Sequence, residues 1–151
     1  MRPILVIIFL VIFCVGCVPA NPFDTVHVEG VVTCDGKPMA EVHVVFVSAA
    51  NDGNSAGGVT DSSGKYKLTT AGAPYGTGAI PALYNVTLSK IEVEGANLSE
   101  EEYKKQIGNR QPKTIHFIPE KYSCPEASGI EPVKVEKGKK NIFNFNISMN
   151  R

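Results

Sequence analysis

The stretch TCDGKP, Thr33 to Pro38, brings a thiol, a carboxylate and an amine together within four consecutive residues. A cysteine becomes a nucleophile where a nearby base or an electropositive setting favours its thiolate. No histidine or second acid stands beside Cys34 in this stretch, and Asp-Gly followed by Pro is a strong turn signal. We therefore predict a hairpin turn, with Cys34 on the inward face of the strand before it.

Three histidines and two turn aspartates are the remaining candidates for chemistry. Alternation places His27 and His43 on outward faces of neighbouring strands, several residues apart along the hairpin, and His116 lies far along the chain. At about 3.3 Å per residue, the first two are too far apart to share an ion. Asp52 and Asp61 lack the alternating ligands and distal Glu of a calcium loop, so Asx turns explain them. The sequence predicts no catalytic residue, no metal ligand and no cofactor, and we expect a protein that is not an enzyme.

Short segments of period-two alternation must position these residues. Apolar side chains recur at every second position, and Gly, Asp and Asn turns separate the segments. The residues predicted to face inward are Val28, Gly30, Val32, Cys34, Val42, Val44, Phe46, Tyr66, Leu68, Tyr84, Val86, Leu88, Val133, Val135, Phe143, Phe145 and Ile147. About seven such strands predict an all-β fold, a seven-stranded antiparallel β-sandwich.

One polar segment, NLSEEEYKKQIGNRQP, breaks the alternation. Ser99 followed by Glu102 is a capping box, and Gly108 is suited to end the helix that it opens. The sequence therefore predicts one short helix inside an insertion, residues 92–114. Because its apolar residues are sparse, we expect the insertion to pack lightly on the sandwich.

The chain begins with a positive charge at Arg2, an unbroken apolar run from Ile4 to Val15, and then Gly and Cys17. This order is typical of a secretory signal peptide, and VGC resembles the lipobox of bacterial lipoproteins, in which the cysteine is lipidated and becomes the new N-terminus. An uncleaved membrane anchor is the alternative, but the run is shorter than the roughly 18 to 20 residues that span a bilayer. We predict a signal peptide over residues 1–16 and a lipidated tether over residues 17–25.

The rest, residues 26–149, suits a single domain. Fifteen basic residues less Arg2 leave fourteen against fifteen acidic ones, and the only basic run is KGKK. This balance gives no reason to expect nucleic acid as a partner. The expected partner is a membrane, bound through lipid on Cys17, and Val18 in place of Asp after the cysteine favours sorting to the outer membrane.

Four stretches, VEGVVTCDGKPMAEVHVVFV, GGVTDSSGKYKL, ALYNVTL and IPEKYSCPEASGIEPVKVEKGKKNIFNFNI, together resemble a known family. They are similar to the carboxypeptidase-regulatory-like, or transthyretin-like, β-sandwich domains of bacterial envelope lipoproteins, over Val26 to Ile147 apart from the insertion. The resemblance implies a prealbumin-like sandwich in the cell envelope, facing the periplasm or the cell surface. It also implies a non-catalytic binding or structural role towards an unknown envelope protein or polysaccharide.

Two alternatives to that role remain open. One is a small hydrolase whose site lies at a loop end, assembled from the insertion and the PEKYSCPEASG loop. The other is a carbohydrate-binding module, for which only Tyr75, Tyr103 and Tyr122 are available on loops as stacking platforms.

Two cysteines, Cys34 and Cys124, stand where the family usually has residues of other types. Lipidation would use Cys17 and cleavage would remove Cys14, so these two remain in a compartment that permits oxidation. We expect a disulfide between Cys34 and Cys124, which would close a long loop and restrict the unfolded chain. Two independent buried thiols are the alternative.

Overall fold

The computed structural model of the protein describes residues 23–50, 52, 54–74 and 76–149. The predicted signal peptide 1–16, Cys17 and the first part of the tether lie outside these residues. The described chain is mostly β-strand, in largely antiparallel sheets, with two short α-helices.

Twelve strands form within the described ranges. They are β1 Val28–Cys34, β2 Lys37–Pro38, β3 His43–Ser48, β4 Ser55–Val59, β5 Lys65–Lys67, β6 Thr69–Thr70, β7 Leu83–Ser89, β8 Ile91–Val93, β9 Thr114–His116, β10 Val133–Lys134, β11 Asn141–Ile142 and β12 Phe145–Ile147. The helices are α1 Glu100–Gln106 and α2 Pro125–Ser128, with a 3₁₀ turn at Glu120–Ser123 between α1 and α2. Two of the predicted strands are divided: KYKLTT forms β5 and β6, and NIFNFNIS forms β11 and β12.

Two five-stranded sheets enclose one core. In the first sheet, β1 is central, with β5 and β2 on one side and β11 and β12 on the other. The second sheet has the order β10-β7-β3-β4-β6. The chain passes from the first sheet to the second at Leu68, between β5 and β6.

Alternation predicted the inward faces correctly for most strands. The buried side chains of the core come from both sheets and include Val28, Val32, Val42, Val44, Phe46, Tyr66, Leu68, Tyr84, Val86, Leu88, Val135 and Ile147. Phe143 and Phe145 are only partly buried at the margin of this core. Their rings lie 5.8 and 6.3 Å from the ring of Phe46, which joins the last strand to the second sheet.

The prediction that every strand pairs antiparallel is wrong for the first and last strands. β1 pairs with β11 and β12 in parallel, with Val28 opposite Asn141 and Val32 opposite Phe145. Alternation reports which face of a strand is buried, whereas the direction and identity of its neighbour depend on contacts far apart in sequence.

The helix in the insertion begins where the sequence predicts. The Ser99 hydroxyl accepts from the backbone N–H of Glu102, and the Glu102 carboxylate accepts from the backbone N–H of Ser99, which completes the capping box. Gly108 follows the last turn with a φ of 59°. The second helix, α2, was not predicted, because four residues are too few to show a helical period.

At the centre of the first sheet, next to Gly30, two backbone groups have hydrogen-bond partners that differ from those of a regular ladder: the Val31 N–H and the Phe143 carbonyl. In an uninterrupted parallel ladder at this register, the Val31 N–H would donate to the Phe143 carbonyl. Instead the Asn144 side-chain oxygen accepts from the Val31 N–H at 2.9 Å. The Phe143 carbonyl accepts from the Tyr66 hydroxyl at 2.7 Å. A Cβ at Gly30 would overlap both the Phe143 carbonyl and the Tyr66 hydroxyl, so only glycine permits this crossing.

The two ends of the domain are distinct. At one end, Val26 pairs with Ala79, and the Lys137 ammonium lies 2.6 Å from the Asp24 carboxylate, so the predicted tether, residues 17–25, would enter there. β7 starts near this end and runs to Ser89 at the other, where it leads into β8. The insertion therefore leaves the domain at the end opposite the tether.

Gly30→Ala should lower the free energy of unfolding by about 2 to 4 kcal/mol, because the new Cβ overpacks the crossing and displaces the partly buried Tyr66–Phe143 hydrogen bond. Gly57→Ala is the matched control, since a Cβ there meets nothing closer than the Val44 carbonyl at 3.7 Å. Its effect should stay within about 0.5 kcal/mol. Equal effects of the two changes in urea unfolding would contradict the crossing.

Candidate functional site

The TCDGKP segment is a tight hairpin turn, as predicted. Asp35 and Gly36 both have positive φ, 47° and 80°, as a type I′ turn requires, and Cys34 pairs with Lys37. The Asn146 side-chain oxygen accepts from the Gly36 N–H at 3.1 Å, which fixes the turn to the last strand. Burial, and then the charge of Asp35, raise the pKa of the Cys34 thiol. This thiol is therefore not an activated nucleophile.

The two cysteines expected to form a disulfide, Cys34 and Cys124, are both free thiols in the structure. Cys34 is half-buried and packs against the core, whereas Cys124 is exposed between the 3₁₀ turn and α2. The two thiols therefore occupy different environments, and the structure has no bond between them.

The three histidines are exposed and lie on different elements: His27 before β1, His43 at the start of β3 and His116 at the end of β9. The His27 ring nitrogen Nε2 is 3.1 Å from the Glu29 carboxylate. Over the part of the chain that the structure describes, no three residues of metal-ligand type come together.

The two turn aspartates form Asx turns, as predicted. The Asp61 carboxylate accepts from the backbone N–H groups of Ser63 and Lys65 at 2.8 and 3.0 Å, and Asp52 accepts from the N–H of Asn54 at 3.0 Å. Hydrogen bonds to Ser63 and to Asn54 hold the pKa of Asp61 and of Asp52, respectively, below the usual range. Both carboxylates thus stabilise the turns in which they lie.

Two of the three tyrosines that could serve as stacking platforms, Tyr103 and Tyr122, are engaged in contacts within the protein. Tyr122 is buried, and its hydroxyl accepts from the Ser148 N–H at 3.0 Å, so it fastens the PEKYSCPEASG loop to the end of the last strand. Tyr103 packs over Gly95 inside the insertion, and Tyr75 lies outside the described residues. The expectation that Tyr122 anchors its own loop, and does not serve as a stacking platform, is therefore confirmed.

The larger of the two clefts described here, of about 720 Å³, crosses the outward face of the first sheet. We call it the outer cleft. Outward side chains of β5, β1 and the β11–β12 strand line it, including Lys65, Lys67, Glu29, Val31, Ile142 and Asn144. Two-residue periodicity explains these outward side chains. Gly30 and Tyr66, which alternation places on the core side, also border the cleft. The sequence predicts which side chains of each strand face outward. It does not predict that these three strands, which are distant in sequence, lie side by side.

Three ionisable groups of the outer cleft, Glu29, Asp61 and Tyr66, have pKa values that are shifted away from neutrality. A hydrogen bond from His27 lowers the pKa of Glu29, and the pKa of Asp61 is lowered within its Asx turn. Burial raises the pKa of Tyr66, whose proton is donated to the Phe143 carbonyl. None of these three groups is poised near neutrality to exchange a proton with a substrate.

A second, smaller cleft, of about 490 Å³, lies on the outward face of the second sheet. It is lined by uncharged side chains of β3, β4 and β6, among them Val45 and Thr69, with exposed His43 at one side. Gly57 and Gly58 leave its floor open, and Val59 lines both clefts. Neither cleft is lined by residues of the insertion or of the PEKYSCPEASG loop, the two segments of the alternative hydrolase site.

The insertion forms an arm, residues 91–116, built from the two-stranded ribbon β8–β9 and α1. Ile107 is buried, but it packs on Gly95 and Tyr103 of the arm and does not belong to the core of the two sheets. The Arg110 guanidinium donates two hydrogen bonds to the Glu94 carboxylate, at 2.8 and 2.7 Å, and so closes the arm. Its base is held by Lys90, whose ammonium donates to the Ala40 carbonyl at 3.0 Å.

Comparison with known proteins gives no relative: no family model, no curated protein and no solved structure matches this chain. Among the described residues, no helix is both long and apolar enough to cross a membrane.

The Glu94–Arg110 pair gives a pH prediction. The hydrogen bonds of Arg110, followed by that of the Lys113 backbone, lower the pKa of Glu94 to about 2 from an ordinary 4.5. The ionised pair stabilises the arm fully above pH 4.5, and this contribution is lost as the pH falls towards 2. In Arg110→Gln, the Glu94 pKa should rise towards 4.5, as followed by NMR of the carboxyl carbon.

Lys104→Gln is the control for this titration, because Lys104 pairs with Glu100 on the exposed face of α1. It should leave the Glu94 midpoint unchanged. A Glu94 midpoint near 4.5 in the unaltered protein would show that the pair is not formed.

Proposed function

We propose that this protein is a lipid-anchored protein of the cell envelope whose β domain binds a ligand without transforming it. The anchor is supported by the order of Arg2, the apolar run Ile4 to Val15 and the VGC sequence ending at Cys17. Lipid on Cys17 and removal of residues 1–16 would leave the domain on a short tether at the membrane, with the outer membrane as the expected site.

The binding role is supported by the protonation states of Glu29, Asp61 and Tyr66 in the outer cleft. Acid–base catalysis needs a group whose pKa lies near the working pH, or a nucleophile with an adjacent base. Glu29 and Asp61 stay ionised, Tyr66 stays protonated, and each is already engaged in a hydrogen bond. The cleft thus offers shape, apolar surface and fixed charge, which are means of recognition.

For the finer fold, we propose a carboxypeptidase-regulatory-like, or transthyretin-like, β-sandwich. Two five-stranded sheets around one core support it, as do the local structures of the three most specific stretches of the resemblance. DGKP is a tight hairpin turn, and TDSSGKY contains the Asx turn of Asp61. The PEKY stretch enters a 3₁₀ turn in which Tyr122 is buried.

The anchor can be tested at its cysteine. Cys17→Ser should abolish lipidation, because only a thiol accepts the lipid, and should leave an uncleaved chain that retains Met1. Cys14→Ser is the matched control: it lies in the predicted signal peptide and should still give a lipidated, processed protein. Mass spectrometry of the N-terminal peptide distinguishes the two. An unmodified Cys17 in the membrane fraction of the unaltered protein would refute the anchor.

The binding role can be tested by blocking the outer cleft. Ile142→Arg adds a long charged side chain to its lining at a position that is exposed, so the fold should persist. Leu83→Arg makes the same change at an exposed site on the second sheet that lines neither cleft. The amount of envelope component that cross-links to the protein should fall at least tenfold in Ile142→Arg. It should stay unchanged in Leu83→Arg. Equal capture by both variants would contradict a role for this cleft.

A further inference from the structure

We propose that the arm joins two copies of this protein, by antiparallel pairing of β9 with β9 of a second copy into one four-stranded sheet. The pairing goes beyond the binding role proposed for the outer cleft and does not depend on it. Three features of the arm support it: an unpaired strand edge, apolar side chains exposed beside that edge, and the complementarity of the edge to itself.

The outer edge of β9 has unused backbone groups. β9 pairs only with β8 among the described strands. The Glu94 N–H donates to the Lys113 carbonyl at 2.9 Å, which makes these two residues a hydrogen-bonded pair. Because such pairs alternate along an antiparallel ladder, Thr114 and His116 direct their N–H and C=O groups away from β8. Those groups have no hydrogen-bond partner in the described part of the chain.

The ribbon β8–β9 has no buried face. All residues of both strands are exposed. The apolar side chains of the ribbon and of the residue that follows it are 38 to 51% exposed: Val93, Phe117, Ile91 and Ile115. A two-stranded ribbon is marginally stable by itself in water, and further strands with a shared apolar face stabilise it. An open edge with apolar side chains beside it is the kind of surface to which another strand adds.

The edge of β9 is complementary to itself. In the register that places Ile115 opposite Ile115 of the second copy, Thr114 lies opposite His116. Each Thr114–His116 pair would then exchange both of its backbone hydrogen bonds. The two isoleucines meet at the centre, and Lys113 lies opposite Phe117, where an ammonium can pack on the ring. No like charges are opposed between the copies in this register.

The neighbouring symmetric registers are excluded by the residues on either side of β9. Centring the pair on Thr114 would bring Pro112 opposite His116, and proline has no N–H to donate. Centring it on His116 would require Thr114 to pair with Ile118, whose side chain is buried in the core of the two sheets. Symmetric pairing is therefore restricted to the register centred on Ile115.

The outer edge of β8 does not offer an equivalent surface. Its Val93 carbonyl already accepts from the Ala96 N–H at 3.1 Å. Symmetric pairing centred on Glu92 would place this carboxylate opposite itself, and pairing centred on Ile91 would need Ser89, which belongs to β7. With one edge suited to self-pairing, two copies form a closed pair and do not continue into a fibre.

The pairing should be weak in dilute solution, because β9 has only three residues and the interface is correspondingly small. Copies held on one membrane by the proposed anchor would meet at a higher effective concentration. The pairing is therefore best measured in the cells that produce the full chain.

Disulfide trapping in these cells tests the register, in a Cys124→Ser background that removes the exposed native thiol. Opposed residues of a non-hydrogen-bonded pair have Cα atoms about 4.5 Å apart, within the reach of a disulfide. Ile115→Cys should therefore cross-link to its own copy under mild oxidation. Ile91→Cys, with a similar exposure on β8, is the matched control and should cross-link at least tenfold less. Equal cross-linking of the two variants would show random collision and overturn the proposal.

Charge exchange at the same position gives a second test, by co-precipitation of two differently tagged copies. Ile115→Lys in both copies should lower co-precipitation at least tenfold, because like charges would be opposed. The arm itself should persist, since the new ammonium also lies opposite Glu92 of its own ribbon. Ile91→Lys in both copies is the control and should have no effect.

Combining Ile115→Lys in one copy with Ile115→Glu in the other should restore co-precipitation, a result that a misfolded arm could not give. A mixed pair that associates no better than two copies of Ile115→Lys would overturn the proposal. If Ile115→Cys cross-links to a different protein and not to its own copy, the edge binds another strand and self-pairing is wrong. Loss of self-pairing in any of these tests would leave the effect of Ile142→Arg on ligand capture untouched, so the two proposals fail separately.

Discussion

The hydrogen bond from the Tyr66 hydroxyl to the Phe143 carbonyl, made across Gly30, determines the arrangement of the first sheet. It joins β5 to Phe143, which lies between β11 and β12, across the central strand β1. Because the Phe143 carbonyl turns to this hydroxyl, the Val31 N–H needs another acceptor, and the Asn144 side chain supplies it. The Tyr66 hydroxyl, the missing side chain at Gly30 and the Asn144 acceptor thus depend on one another.

The same crossing shapes the outward surface. The Tyr66 hydroxyl and the Phe143 carbonyl bond to each other, and their neighbours Lys67 and Ile142 face outward from the two strands that flank β1. The outer cleft is the space above these neighbours. Its chemistry therefore follows from a packing requirement on the other side of the sheet, and a change at Gly30 would alter both the stability of the domain and the shape of the cleft.

Local features were predictable from the sequence, and long-range ones were not. Alternation identified Phe46 and Tyr66 as core residues, and the Asp-Gly turn and the capping box at Ser99 formed where their side-chain chemistry requires. No local pattern shows that the last strand lies parallel to the first, since that pairing joins residues more than 100 positions apart. The outer cleft was missed for the same reason, as was the Glu94–Arg110 pair, whose members are 16 residues apart.

The opposite placement of tether and arm has a consequence for where each part of the protein could act. β7, seven residues long, spans the domain from the tether end to the base of the arm, a distance of about 20 Å at the usual rise of a strand. For a chain held by lipid at Cys17, the arm would stand beyond the lipid headgroups. The bilayer surface would be the neighbour of the tether end, and molecules arriving from the aqueous side would meet the arm first.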